Sequence, residues 1–291
     1  MPVAHVDSTQ PHQRDRSDCA LLVGSCDAYS DLWTPFFTLL NRHWPDCPYP
    51  VFLGAGELVM PGVHTLPSTG GRDWSRCMIE YLERLDFEYI IVMLDDFFLR
   101  KRVSTSAIES VLEFARRHNA TMVRLIPRPP PTARVPDSIE IGECAAGSPY
   151  RLCMQAAIWR RSRLLSLLRA GESIWQFELN GNERSHSEPS GYYCTRGHIL
   201  PYSGIFAHHV VEKGRWFLHE KWIFTKKGIG CDFSRRGVLP WRQTVVYHTA
   251  ALLDKSLNLF SWQTKMRIKQ RIKSVLAKQL GTTLARLRSV K

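Results

Sequence analysis

"EYIIVMLDDFFL", residues Glu88 to Leu99, places six apolar residues, Tyr89 to Leu94, directly before two adjacent carboxylates. The apolar run suits a strand buried on both faces. Neighbouring acids at the edge of a core repel each other and lose hydration, so the arrangement is costly unless a positive group meets them. Just upstream, in "DWSRCMIEYLERLDFEYI", the residues Trp74, Cys77, Met78, Tyr81, Leu82 and Leu85 recur at helical spacing and predict a helix feeding the strand.

Outward from this point the chain alternates strands with helices. "CALLVGS", "YPVFLG", "GVHTLP", "TMVRLIP" and "LCMQAAIW" read as strands. Helices are expected after Thr34-Pro35, with Thr34 as cap, and after Ser106, with Glu109 completing a capping box. A further helix, "RRSRLLSLLRAG", would stop at Gly171. "PRPPPTARVPD" suits neither helix nor central strand and is expected as an exposed loop. The pattern predicts an α/β fold with a Rossmann-like, mostly parallel sheet flanked by helices. Residues 1–17 read as a disordered leader, 18–250 as the folded domain, and 251–291 as a basic, amphipathic, helical C-terminal tail.

The net charge of +12 is unevenly placed, with ten Lys or Arg and no acid from Lys255 to Lys291. A basic block suggests an anionic surface as partner, lipid or nucleic acid. Ile268, Ile272, Val275, Leu276 and Leu280 form one stripe in that tail. It suits an interfacial helix or a helix packed on the domain. The N-terminal stretch lacks the apolar core of a signal peptide, and no run approaches the roughly 18 apolar residues of a membrane span. The expected location is cytoplasmic, peripheral on the inner face of the membrane if the tail binds lipid. The eight cysteines contain no C-x-x-C pair and read as free thiols in a reducing compartment. Cys194, His198, His208, His209, His219 and Cys231 fit no zinc-module spacing.

In an open parallel sheet, ligands sit beyond the carboxyl ends of the strands. Asp95 and Asp96 fall there, and a divalent cation would turn their repulsion into shared coordination. Oxygen ligands beside phosphate suit Mg²⁺ or Mn²⁺. A surface turn is the alternative, since Asp is common at strand ends.

In this order of elements the chain resembles a bacterial GT-A-fold glycosyltransferase, related to the large family-two type that uses nucleotide-sugar donors. The resemblance runs from about Cys19 to Trp216 through "LLVGSCDAYSDLWTPFF", "WSRCMIEYLERLDFEYIIVMLDDFF" and "MQAAIWRRSRLLSLLRAGESIWQFE". It implies a GT-A-type fold and a nucleotide-sugar donor, most commonly a UDP-sugar. The metal would be held by Asp95, Asp96 and a late His, His208 or His209. Asp27 would contact base or ribose, with Glu57 nearby, and Arg76, Lys213 and Arg215 would face the diphosphate. Glu178 would be the general base, and its aromatic neighbours Trp175 and Phe177 would offer platforms to the acceptor sugar. Two departures stand out. The signature is Leu94-Asp95-Asp96-Phe97 instead of D-x-D, and the family's downstream Glu-Asp pair is reduced to Glu178.

The expected activity is metal-assisted transfer of a sugar to a saccharide or lipid-linked acceptor in surface polysaccharide synthesis, with inversion. A nucleotidyltransferase of similar fold is the enzymatic rival, although the first strand is not followed by a glycine-rich phosphate loop. A non-catalytic nucleic-acid binder acting through the basic tail is the other rival.

Overall fold

The computed structural model describes residues 18–148, 150–202 and 209–256. The expected leader and residues 257–291 of the tail lie outside this set. A nine-stranded sheet forms the centre, in the order β3-β2-β1-β4-β8-β5-β9-β7-β6. Its strands are β1 (Cys19–Gly24), β2 (Val51–Gly54), β3 (His64–Leu66), β4 (Tyr89–Leu94), β5 (Met122–Arg124), β6 (Ala133–Val135), β7 (Ser138–Glu143), β8 (Ala157–Arg160) and β9 (Tyr192–Thr195). Strands β1 to β4 pair in parallel, β5 and β9 keep that direction, and β8 runs antiparallel between β4 and β5. A small hairpin of β10 (Val211–Glu212) and β11 (Arg215–Trp216) stands apart.

The period of two along β1 and β4 distributes the core. Leu21, Val23, Ile91 and Met93 face one layer, formed with helices α1 (Trp33–His43) and α3 (Thr105–Arg117). Ala20, Leu22, Ile90 and Val92 face the other, formed with α2 (Trp74–Glu83), α4 (Arg161–Leu167) and α5 (Ile174–Ser185). Both faces are covered, so these strands contain no polar alternation. Helices α6 (Leu218–Lys226) and α7 (Trp241–Ser256) follow the hairpin. The expected domain limit at residue 250 falls inside α7. Among the described residues no helix is long and apolar enough to cross a membrane. All eight cysteines are free thiols, five of them buried.

Several local expectations need correction. A 3-10 turn, Asp27–Leu32, leads straight into α1, so Thr34 lies inside the helix and does not cap it. Helix α3 is capped by Ser104, whose hydroxyl accepts from the Ala107 N–H, because the turn begins one residue pair earlier than the Ser106 pattern implied. "PRPPPTARVPD" contains β6, an edge strand that pairs only with β7, where prolines on either side cost no ladder bond. Helix α4 ends at Leu167, ahead of Gly171.

Gly54 is where β2 meets α2. A Cβ there would lie 2.4 Å from the Tyr81 ring, and Tyr81 is pinned by its O–H donating to the Ala55 carbonyl at 2.8 Å. Gly54→Ala is therefore expected to destabilise the protein by about 1–3 kcal/mol, the cost of overpacking a core. Chemical denaturation would measure it, and an unchanged midpoint would show that the ring yields freely.

Candidate active site at the end of the fourth strand

Strand order reverses at β1. The chain steps from β1 to β2 and β3 on one side, then crosses to β4 on the other. The crevice beyond the carboxyl ends of β1 and β4 is thus the switch point where open α/β sheets bind ligands. Register pairs Gly24 with Leu94, so Ser25 and Asp95 leave the two strands side by side.

Asp95 is 6% exposed. Ser25 donates its hydroxyl to Asp95 Oδ2 and accepts from Trp33 Nε1 at 2.7 Å, which settles the direction of the relay and fixes the carboxylate. Asp96 Oδ1 is buried without a hydrogen-bond partner among the described residues. Burial pushes both acids up, Asp95 well above the usual carboxylate range and Asp96 to about 6. The Asp96 charge raises Asp95 further, whereas Ser25 and Arg236 pull it back. His209 and Arg236 draw Asp96 down.

Arg236 carries no local mark in the sequence. It pairs with Asp31 through Nε at 2.7 Å, donates to the Ala28 carbonyl at 3.0 Å and lies 4.4 Å from the centre of the Tyr29 ring. Arg235 donates to Ser30 Oγ at 2.6 Å and to the Asp27 carbonyl. The 235–236 segment therefore straps the turn after β1 and brings a cation to the acids. Its partners lie about 205 residues away in sequence, so no local pattern announces it. Ser25 was legible in principle, because aligning "CALLVGS" with "YIIVMLD" sets it opposite Asp95.

The other expected residues divide. His209 lies beside the acids, with Nε2 3.0 Å from Glu212 and the adjoining Val210 N–H donating to the Asp96 carbonyl at 3.2 Å. His208 lies outside the described residues. Asp27 accepts from the Gly56 and Glu57 N–H groups, both at 2.8 Å, and so joins the loops after β1 and β2. Its carboxylate is already engaged there by backbone donors. Glu57 and Arg76 are exposed on the same rim. Lys213 and Arg215 are exposed on the β10–β11 hairpin.

Glu178 sits in the first turns of α5, behind a capping box of Ser173 and Gln176. Its Oε1 accepts from the Met154 N–H at 2.7 Å. Burial raises its carboxyl above the usual range, partly offset by that N–H. Met154 precedes β8, whose start pairs Ala157 with Val92, so the backbone that holds Glu178 lies toward the end of the sheet that carries the acids. Between them Tyr202 stacks on Phe97 at 4.6 Å, accepts from the Ala156 N–H and donates to Gln155 Oε1, both at 3.0 Å. Trp175 is 73% exposed and available to a ligand. Phe177 corrects the expectation: it is 0% exposed and packs on Trp74 at 5.4 Å, so it presents no face to a sugar. Helical spacing turns Trp175 outward and Phe177 inward.

Among the described residues no three His, Cys, Asp or Glu side chains are grouped to cage a metal. The donor set does fit Mg²⁺ or Mn²⁺ held by two carboxylates, with water and phosphate completing the shell. The unpartnered Asp96 Oδ1 is the observation behind that fit.

No family model matches the chain, and no curated protein sequence matches it. Among solved structures it is similar to S. aureus TarS in complex with UDP, at 12% identity and a TM-score of 0.37, over 60% of this chain and 59% of that one. It is also similar to the bifunctional IspDF from Campylobacter jejuni, at 12% identity and a TM-score of 0.34, over 58% of this chain and 47% of that one. The chain thus spans about half to three-fifths of the length of these structures. Likeness at this level carries no inference about activity.

Proposed function

We propose that the protein is a glycosyltransferase that moves a sugar from a nucleotide-diphosphate donor, a UDP-sugar being the commoner choice, to a saccharide or lipid-linked acceptor. The observation that carries this reading is the buried Asp95–Asp96 pair at the switch point, with Asp96 Oδ1 lacking a partner. Two acids held at such a cost suit a site completed by a cation and a diphosphate. Asp95 and Asp96 would hold Mg²⁺ or Mn²⁺, which would neutralise charge developing on the departing diphosphate.

The chain's own groups supply the rest. Ser25 and Trp33 orient Asp95. Arg236, paired with Asp31, fixes the turn after β1 and keeps donor groups at the rim where the phosphates would lie. Glu178, raised by burial, takes the proton from the acceptor hydroxyl as that oxygen bonds to the anomeric carbon. The bond from that carbon to the diphosphate breaks in the same step, with inversion, and nucleoside diphosphate leaves. Trp175 is the aromatic surface open to the acceptor. The free thiols and the basic tail accord with a cytoplasmic protein resting on the inner face of the membrane.

The test is thermal-shift binding with a panel of nucleoside diphosphates and nucleotide sugars, with and without Mn²⁺. One base is expected to stabilise the protein by about 3 kcal/mol at a hundredfold excess over Kd, or roughly 5 °C or more, only with metal. Free nucleoside diphosphate as product would distinguish glycosyl transfer from nucleotidyl transfer, which releases pyrophosphate. Absence of any shift across the panel would remove the donor site.

A further inference from the structure

Beside the carboxylate pair lies a groove of about 510 Å³, walled by Leu239, Val246 and Tyr247 and edged by Glu212, Lys213 and Arg242. That volume is typical of small-molecule sites. One wall is α7, whose Val245, Val246 and Trp241 are 50%, 67% and 62% exposed, an apolar face left in water. The groove adjoins the active centre: Tyr247 Oη is 3.4 Å from His209 Nε2, and the Val210 N–H next to that histidine bonds the Asp96 carbonyl.

The edge is positive. Glu212 is engaged by His209 at 3.0 Å, whereas Lys213 and Arg242 form no salt bridge among the described residues, Arg242 lying over the Trp241 ring at 5.5 Å with its charge unneutralised. An occupant must offer apolar length and a compact negative charge together. Residues 257–291 offer apolar length but carry nine Lys or Arg and no acid, which sets like charges against Lys213 and Arg242. A neutral saccharide would leave the valines uncovered and both cationic charges unmatched.

We propose that this groove binds a long-chain lipid phosphate. Its hydrocarbon lies along Leu239, Val246 and Tyr247, and its phosphate lies between Lys213 and Arg242. The binding follows from the groove itself and stands apart from the transfer step, whose acceptor hydroxyl meets Glu178.

Decyl phosphate, used below its micellar concentration with the full chain, is the probe for calorimetric titration. The expected result is saturable binding, weakened about tenfold or more, 1.4 kcal/mol, by Lys213→Ala with Arg242→Ala and by Val246→Glu. All three positions are exposed, so the fold should persist, as circular dichroism would verify. Inorganic phosphate and neutral decyl maltoside should bind at least tenfold more weakly. Comparable affinity for either comparator, full affinity in both variants, or no binding of decyl phosphate would overturn the proposal. Asp95→Asn should bind decyl phosphate like the wild type. If nucleoside diphosphates fail to bind while decyl phosphate binds, the transfer reading falls and the lipid site stands.

Discussion

Without metal, Asp96→Asn is expected to melt at a higher temperature than the wild type while losing turnover. Burial pushes Asp96 to about 6 in the fold, above the roughly 3.9 of an unfolded chain. A folded pKa above the unfolded one favours the native state at low pH and weakens it as pH rises between those values. The penalty is complete above about pH 6 and absent below about pH 4. Asn keeps the shape and removes the charge, so the variant should gain up to about 3 kcal/mol at pH 8 and almost nothing at pH 4. Added Mn²⁺ should reverse the order, stabilising only the protein with both carboxylates. Turnover should fall by about a thousandfold or more, as expected when charge stabilisation of the leaving group is lost. Calorimetry at both pH values, with and without Mn²⁺, together with a product assay, would check it. A variant less stable than wild type at pH 8 without metal would mean that Arg236 already balances the pair.

Glu178→Gln should reduce kcat by about a hundredfold to ten-thousandfold, the usual worth of a general base. The amide oxygen can still accept from the Met154 N–H, so the fold and nucleoside-diphosphate affinity should hold. The sign of the pH effect follows from the role. A base works ionised, so wild-type kcat/KM should climb with pH through an apparent pKa above the usual 4.5, and this limb should vanish in the variant. Wild-type turnover in a well-folded Glu178→Gln protein would place the base elsewhere.

What was legible and what was not divide along physical lines. Helix α2 and strand β4 were readable because their burial is local and periodic: Cys77, Met78, Tyr81 and Leu82 share a face, and Tyr89 to Leu94 are apolar throughout. Strand β7, "SIEIGE", went unread because Ile139 is 91% exposed and only Ile141 and Gly142 turn inward, which leaves too short a signal. Phe177 looked like a sugar platform because composition shows an aromatic beside an acid, while burial depends on the neighbour, Trp74, a hundred residues earlier.

The sequence by itself determined the layered α/β architecture, the carboxylates ending β4 and the acid that follows on α5. These depend on hydrophobic period and on residues adjacent in the chain. Only the tertiary structure decided what surrounds them: Ser25 holding Asp95, Arg236 paired with Asp31 across 205 positions, and a basic-edged groove between the hairpin and α7. Charge and hydrogen bonding act over a few ångströms of space whatever the separation along the chain, so those contacts exist only once the sheet has brought distant segments to one rim.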